Sequence, residues 1–191
     1  MRESKITRKT NETDIEVRIS LDGTGNTDIN TGIAFFDHML NSFAKHGSFD
    51  LMVKASGDLT VDDHHTIEDV GISLGSALEK SLGDKKGIER FADATVPMDE
   101  ALATAAIDIS GRSYLAFNGA FANQKIGVFN PQNTRHFFES LVSNAGINAH
   151  LQVTGENDHH KIEALFKAFG IALKRAVRIS GSGVPSTKGV L

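Results

Sequence analysis

Several residue types are absent or rare in this chain of 191 residues, and each absence narrows its possible functions. There is no Cys, which excludes disulfide bridges, thiolate metal sites and cysteine nucleophiles, and which suits a reducing compartment. No segment approaches the roughly 18 consecutive apolar residues of a membrane span, and the N-terminal segment lacks the apolar core of a signal peptide. We therefore expect a soluble, cytoplasmic protein.

The chain also lacks an excess of positive charge. Its formal net charge is -4 and its basic residues are scattered, so it has no electrostatic surface for nucleic acid. The hydrophobic content of 40% is that of an ordinary globular protein, although Trp is absent and Tyr occurs once. A chain of this length can bury a real core, either as one domain or as two small halves that share one.

One polar stretch occurs twice, at residues 62–70 and 157–165. A single alignment without gaps matches His64 with His159, His65 with His160, Ile67 with Ile162, and Glu68 with Glu163. Apolar residues follow both copies at helical spacing, so each copy predicts an amphipathic helix with Asp63 or Asp158 as its N-terminal cap. The chain is therefore predicted to be an internal duplication.

The repeated HHxxE motif indicates metal binding. A single HHxxE would more often be the solvated first turn of a helix, but here His, His and Glu persist in both copies while polar neighbours change. Because positions i and i+4 share one helix face, His64 with Glu68, and His159 with Glu163, can each bind one ion. The second histidine of each pair points about 100° away and is expected to serve a different ion.

A second pair of helices adds two candidate ligands. Residues 35–46 have helical apolar spacing, and residues 134–145 form a similar short segment. His38 in the first segment aligns with His136 in the second, so both are candidate metal ligands. His46 aligns with Asn144, so the duplication gives it no such support.

The remaining patterns predict strands. Alternating apolar residues indicate strands at 3–9, 14–21, 50–55, 89–95, 101–109, 113–118 and 147–154, with a shorter one at 59–61. The two helices that begin with the HHxxE motifs are expected to end near residues 82 and 178. The segment Gly83–Gly87 is predicted to connect the halves. We predict an α+β fold of two β-β-β-α-β-α halves, residues 1–87 and 88–178, with four helices packed between two small mixed β-sheets and a tail at 179–191.

Eight residues make up the predicted metal-binding set: His38, His64, His65, Glu68, His136, His159, His160 and Glu163. They suffice for two sites of four ligands. Nitrogen and carboxylate ligands without sulfur suit Mn, Fe or Zn, and open coordination positions favour Mn(II). Because the paired histidines diverge, we expect a neighbouring subunit to complete each site.

Six motifs in order, FFDHML, DDHHTIEDVG, PMDEA, DISGR, NDHHKIEALFKA and PSTKG, make the whole chain resemble the imidazoleglycerol-phosphate dehydratase family of histidine biosynthesis. The resemblance implies a duplicated α+β fold, two Mn(II) per subunit and an assembly of 24 subunits that share their metal sites. It implies a small phosphorylated imidazole as substrate, whose hydroxyl leaves as water to give imidazole-acetol phosphate.

The resemblance also implies roles for individual residues. On the residues alone Glu12 is a loop carboxylate, but by resemblance it is the catalytic base, with Glu163 as the second catalytic candidate. The implied phosphate-binding set is Arg90, Arg112, Lys167, Ser186 and Lys188, which suits a dianion, and Thr187 between the last two is a further candidate substrate contact. The other substrate contacts are expected from Glu12, His46 and the metal ligands other than His136.

Two alternatives to this function stay open from the sequence. A binuclear metal hydrolase also needs two neighbouring ions, which activate water. A non-enzymatic metal-binding assembly would explain the repeated ligands, but it would not explain the clustered Arg, Ser and Lys residues.

Overall fold

The computed structural model describes residues 2–189 and residue 191. The first half contains β1 (Glu3–Lys9), β2 (Thr13–Ser20), β3 (Thr27–Asn30), α1 (Ala34–Gly47), β4 (Asp50–Gly57) and α2 (His64–Leu82). The second half contains β5 (Phe91–Met98), β6 (Ala101–Asp108), β7 (Tyr114–Asn118), α3 (Asn133–Ala145), β8 (Asn148–Thr154) and α4 (Asp158–Ala176). Both halves thus follow the predicted β-β-β-α-β-α order.

Some predicted boundaries differ from the observed ones. The strand expected at 59–61 is wrong: these residues form a turn, in which the amide of Val61 donates to the carbonyl of Asp58 at 2.8 Å. The strand β3 had no predicted position, because four residues show too little alternation to mark a strand. Helix α4 ends at Ala176, slightly before the expected 178.

Each half contributes one four-stranded mixed sheet with the same topology. The orders are β1-β2-β4-β3 and β5-β6-β8-β7, and in each sheet only the last pair is parallel. Alternation along β2 buries Ile15, Val17 and Ile19 on the inner face, as expected for a sheet covered on one side. The two sheets thus present apolar faces to the helices.

The four helices form the layer between the sheets, as predicted. Helix α2 packs on the first sheet and α4 on the second, while the main helix pairs are α2 with α3 and α1 with α4. Each pair joins a helix of one half to a helix of the other. Phe137 stacks on Phe166 with ring centroids 5.2 Å apart, inside this shared core. Within the described residues no helix is long and apolar enough to cross a membrane.

The side chains that cap α2 and α4 lie one residue earlier than the sequence predicted, although Asp63 holds the N-cap position of α2. The side chains of Asp62 and Asn157 accept from the amides of His64 and His159, at 2.8 and 2.9 Å. Asp63 accepts instead from the amide of Asn130 at 2.6 Å. The expected caps by Asp63 and Asp158 are therefore wrong, since both carboxylates turn toward another part of the chain.

The loop between β7 and α3 contacts both metal helices. Asp158 is fully buried and accepts from the amides of Ala122 and Asn123 at 2.8 and 2.6 Å. Burial would raise the pKa of Asp158, but the hydrogen bond from Lys161 and these two amides outweigh it and lower that pKa. The same loop reaches Asp63 through Asn130, so one segment ties the starts of α2 and α4 together.

Two equivalent glycines set the distance within each helix pair. A Cβ at Gly75 of α2 would lie 2.3 Å from the carbonyl oxygen of Leu141 in α3. A Cβ at Gly170 of α4 would lie 2.5 Å from the carbonyl oxygen of Phe43 in α1. Only glycine permits backbones to approach this closely.

We predict that Gly75→Ala lowers the free energy of unfolding, because the new methyl group must push α3 away from α2. Overpacking of a core typically costs about 1–3 kcal/mol. The thermal midpoint, measured at a fixed protein concentration, should fall relative to wild type. Gly181→Ala is the matched control, since a Cβ at Gly181 meets nothing within 4 Å. Equal midpoints for the two variants would contradict this account of the glycine contact.

Candidate metal centres

The first cluster joins α1 to α4 and contains His38, His159 and Glu163. The Nε2 atoms of both histidines lie 3.2 Å from Oε2 of Glu163. His159 and Glu163 are one helical turn apart, as the i, i+4 spacing predicted. His38 comes from the other half of the chain.

The second cluster joins α2 to α3 and contains His64, Glu68 and His136. Nε2 of His136 lies 3.3 Å from Oε1 of Glu68, and the rings of His64 and His136 stack with centroids 4.4 Å apart. Here too the third residue comes from the other half. Alignment of the repeats found all six residues, but it did not reveal that each cluster would cross between the halves.

Both clusters fit a metal ion by their ligand spacing, and the second cluster also does so by an independent criterion. Ligand atoms about 2.1 Å from one ion lie roughly 3.0 Å apart at right angles and 3.4 Å apart in a tetrahedron, which brackets the observed 3.2 and 3.3 Å. In addition, Nε2 of His136 is buried and has no hydrogen-bond partner, since its approach to Glu68 lacks hydrogen-bond geometry. A buried ring nitrogen without a partner is costly unless an ion supplies one.

The electrostatics of the first cluster keep Glu163 ionised. Its side chain is only 9% exposed, and burial alone would raise its pKa. The hydrogen bond and charge of Lys167, whose Nζ lies 2.8 Å from Oε1, outweigh burial together with His38, so the pKa of Glu163 is lowered. In the repeat, Ile72 stands where α4 has Lys167, so the second cluster has no such lysine.

The second histidine of each motif lies outside the clusters and faces a carboxylate. Nδ1 of His65 lies 3.0 Å from Asp58, and Nδ1 of His160 lies 2.9 Å from Glu100. Because a carboxylate only accepts, Nδ1 is the protonated nitrogen and Nε2 is left available as a ligand. Each hydrogen bond raises the pKa of its histidine, and His160 is the main cause that lowers the pKa of Glu100 to about 2.

Glu12 lies in the turn between β1 and β2, directly before Thr13. Its side chain is 53% exposed, and its carboxylate approaches Nδ1 of His65 to 3.9 Å. Glu100 holds the equivalent place in the turn between β5 and β6, as the matching strand registers show. The sequence patterns did not single out Glu100 or Asp58. Glu100 could have been found because, like Glu12, it directly precedes a strand.

The predicted phosphate-binding residues fall into two separate groups. Arg90 donates to Asp108 at 2.7 Å and to the carbonyl of Pro185 at 2.8 Å, so it lies beside the tail that holds Ser186, Thr187 and Lys188. A Cβ at Gly111, the neighbour of Arg112, would lie 3.1 Å from the carbonyl carbon of Leu191, so this loop also lies beside the C-terminal segment. These residues form the first group.

Lys167 forms the second group, at the other end of β5. Its Nζ is 3.7 Å from the sulfur of Met98, and a strand of this length separates the two ends by roughly 23 Å. His46 belongs with Lys167: desolvation of its ring and the charge of Lys167 lower its pKa. The predicted phosphate-binding residues of one chain therefore do not lie together in a single site.

The fold and the two clusters define a duplicated α+β protein with a pair of candidate metal centres built across its halves. The family model described as imidazoleglycerol-phosphate dehydratase matches residues 31–173. The chain belongs to the imidazoleglycerol-phosphate dehydratase family. This confirms the resemblance drawn from the motifs and the expectation of an enzyme of the hydro-lyase class.

Individual relatives match over the full chain. The imidazoleglycerol-phosphate dehydratases of Methanococcoides burtonii and Methanosarcina barkeri are 61% and 59% identical over 191 residues, covering 100% of both chains in each case. The crystal structure of the Staphylococcus aureus enzyme has a TM-score of 0.85 at 38% identity, covering 93% of this chain and 99% of that one. The Pyrococcus furiosus enzyme, solved in complex with (S)-C348, gives 0.85 at 36% identity, covering 97% and 100%.

We predict that His38→Ala and His136→Ala each weaken metal binding at one cluster only. Each variant removes one nitrogen ligand and leaves the other cluster intact, so after dialysis against Mn(II) it should retain the ion of the unaltered cluster. Metal analysis gives the readout. His150→Ala is the control, because His150 is exposed on β8 and belongs to neither cluster. Wild-type metal content in both variants would exclude His38 and His136 as ligands.

Proposed function

We propose that this chain catalyses the Mn(II)-dependent dehydration of imidazoleglycerol phosphate to imidazole-acetol phosphate and water, a cytoplasmic step of histidine biosynthesis. The observation that carries the proposal is the pair of equivalent His₂Glu clusters in a chain of this family. Each cluster is accompanied by a further histidine whose Nδ1 is held by a carboxylate.

The proposed cofactor is Mn(II), two ions per subunit. The clusters offer imidazole and carboxylate groups with no sulfur, a donor set that suits a six-coordinate ion with open positions. When bound, the ions would act as Lewis acids toward the imidazole of the substrate and hold it in place. His38, His64, Glu68, His136, His159 and Glu163 would bind the ions within one chain, and His65 and His160 would do so from a neighbouring one.

Glu12 is the proposed base. Its carboxylate is exposed and makes no hydrogen bond to any described residue, so it is free to accept a proton. In the proposed reaction it removes the proton from the carbon next to the one that bears the imidazole. The hydroxyl of the imidazole-bearing carbon leaves, and the C–H electrons form the double bond of an enol. The enol then becomes the ketone, and the proton and hydroxide together account for the water.

Glu163 is less suited to be the base. Lys167 occupies its Oε1, the two cluster histidines lie against its Oε2, and its lowered pKa makes it a weak proton acceptor. Its proposed role is chiefly that of a ligand, and it remains the second catalytic candidate.

The phosphate is proposed to bind to the first group of basic residues, near the tail. Arg90 and Arg112 are forked donors, and Ser186, Thr187 and Lys188 add hydroxyl and ammonium donors. Because the strand β5 separates this group from Lys167 and His46, a complete site requires groups from more than one chain. This separation supports the proposal of a homo-oligomer with shared sites, for which the family resemblance suggests 24 subunits.

The proposed reaction is tested directly with the purified, Mn(II)-loaded protein and imidazoleglycerol phosphate. Formation of the enolisable ketone is the expected result. Release of inorganic phosphate from simple phosphate esters, without ketone, would instead favour a binuclear hydrolase.

We predict that Glu12→Gln abolishes most of the turnover while metal and substrate binding persist. Glutamine preserves the shape of the side chain but cannot accept the proton, and loss of a general base typically lowers the rate about 10²- to 10⁴-fold. The measurements are kcat, KM and metal content. Glu16→Gln, a change at a partly exposed glutamate in the adjacent strand that pairs with Lys5, is the control. A variant with wild-type kcat would remove Glu12 from the mechanism and leave Glu163 as the next candidate.

We predict that metal and assembly are linked. At mildly acidic pH the ligand histidines protonate and release their ions, so particles held together by shared sites should break into smaller ones. Neutral pH with Mn(II) should restore the original size, measured by light scattering. A large particle that persists without bound metal would disprove shared coordination.

A further inference from the structure

The two equivalent turns hold their glutamates in different ways. Glu100 is immobilised: it accepts from the amides of Glu156 and Asn157 at 3.2 and 2.7 Å and from His160 at 2.9 Å. Glu12 has none of these contacts, and the histidine that it approaches is already hydrogen-bonded to Asp58. The carboxylate of Glu12 is therefore free, although its backbone is fixed.

A polar network below the turn fixes that backbone. Asp69, buried on α2 directly after Glu68, accepts from Nε of Arg8 at 2.7 Å and from the hydroxyl of Thr13 at 2.5 Å. The hydroxyl of Thr10 accepts from the amides of Glu12 and Thr13 at 3.1 and 3.0 Å. These contacts bind the turn to the helix that carries the second cluster.

The second half shows that the fold does not require this network. The strand registers place Val96 and Ala101 where the first half has Arg8 and Thr13, and the repeated motif places Ala164 where it has Asp69. Asp69 and both side chains that donate to it are thus replaced by apolar residues in the second copy. A buried carboxylate such as that of Asp69 is costly compared with an apolar contact. Its presence below the turn of Glu12, but not below the turn of Glu100, therefore indicates a function.

We propose that Asp69, together with Thr13 and Arg8, is a positioning set that holds the turn of Glu12 against α2 and so fixes the base relative to His65, the histidine of α2 that its carboxylate approaches. The proposal rests on the role of Glu12 in the proposed function. None of the three residues touches the reacting atoms in this scheme. They act through the turn.

The test compares Thr13→Val, which replaces the hydroxyl by a methyl group of similar size, with Thr13→Ser, which keeps the hydroxyl. Misplacement of a catalytic group by about 1 Å can cost on the order of 10²-fold in rate, so Thr13→Val should lower kcat about 10- to 100-fold. KM and Mn(II) content should stay near wild type, and Thr13→Ser should recover most of kcat. Lys9→Ala, which breaks an exposed ion pair with Asp14 in the same hairpin, is the matched control.

A second variant guards against a folding defect, since Thr13→Val leaves Asp69 without one donor. The triple change Arg8→Val, Thr13→Ala and Asp69→Ala copies the apolar second half, so it should fold, bind Mn(II) and lose kcat to a similar degree. Amide hydrogen exchange at Glu12 and Thr13 in the metal-free protein should be faster than in wild type. This readout is independent of turnover.

Each outcome is decisive when Glu12→Gln is measured in parallel. If Glu12→Gln is inactive but the triple variant keeps wild-type kcat and exchange rates, the positioning proposal is overturned and the base assignment stands. Loss of Mn(II) from a folded triple variant would also overturn it, because the network would then serve the metal site. An active Glu12→Gln would overturn the base assignment itself, and the positioning proposal with it.

Discussion

The close backbone contact between helices of opposite halves is the constraint on which the candidate sites depend. Gly75 lets α2 approach α3, and Gly170 lets α4 approach α1, to distances that no side chain at these positions would allow. At this separation His136 and His38 reach the HHxxE faces of the partner helices. Each half supplies three histidines and one glutamate as candidate ligands, yet among the described residues neither half forms a three-residue cluster by itself. Each candidate metal centre therefore requires both copies of the duplicated unit, packed together.

Burial of charge at these contacts is balanced locally, and differently in the two copies. Glu163 is almost enclosed and is matched by Lys167, whereas Glu68 is 37% exposed and has Ile72 at the equivalent place. The carboxylate that loses more hydration thus has the stronger partner, as expected if burial of an unpaired charge is to be avoided. Asp158 follows the same rule, with Lys161 and two loop amides around it. The two clusters consequently share ligands but differ in electrostatic environment.

Most of the fold and the six residues that meet in the two clusters were predictable from the sequence, because helical periodicity and duplication reinforce each other. What could not be predicted are contacts between segments without equivalents in the alignment. An alignment pairs His38 with His136, but it does not tell which HHxxE helix each one meets. The cap was misassigned because Asp62 and Asp63 are adjacent and equally suitable, and only the backbone decides between them. The ungapped alignment of the motifs pairs Asp58 with Val153 and so gives it no acidic counterpart, because the loop after β4 is longer than the one after β8.

The difference in loop length accompanies a difference in the contacts of the two equivalent turn glutamates, Glu12 and Glu100. In the second half Glu100 orients His160, and hydrogen bonds from His160 and from two backbone amides fix its carboxylate. In the first half the longer loop brings Asp58 to His65, so the histidine is oriented without Glu12. A base needs a free lone pair to accept a proton, whereas a carboxylate that orients a histidine uses its lone pairs in hydrogen bonds. If Glu12 is the base, as proposed, its carboxylate is available for that role because Asp58 and not Glu12 orients the histidine.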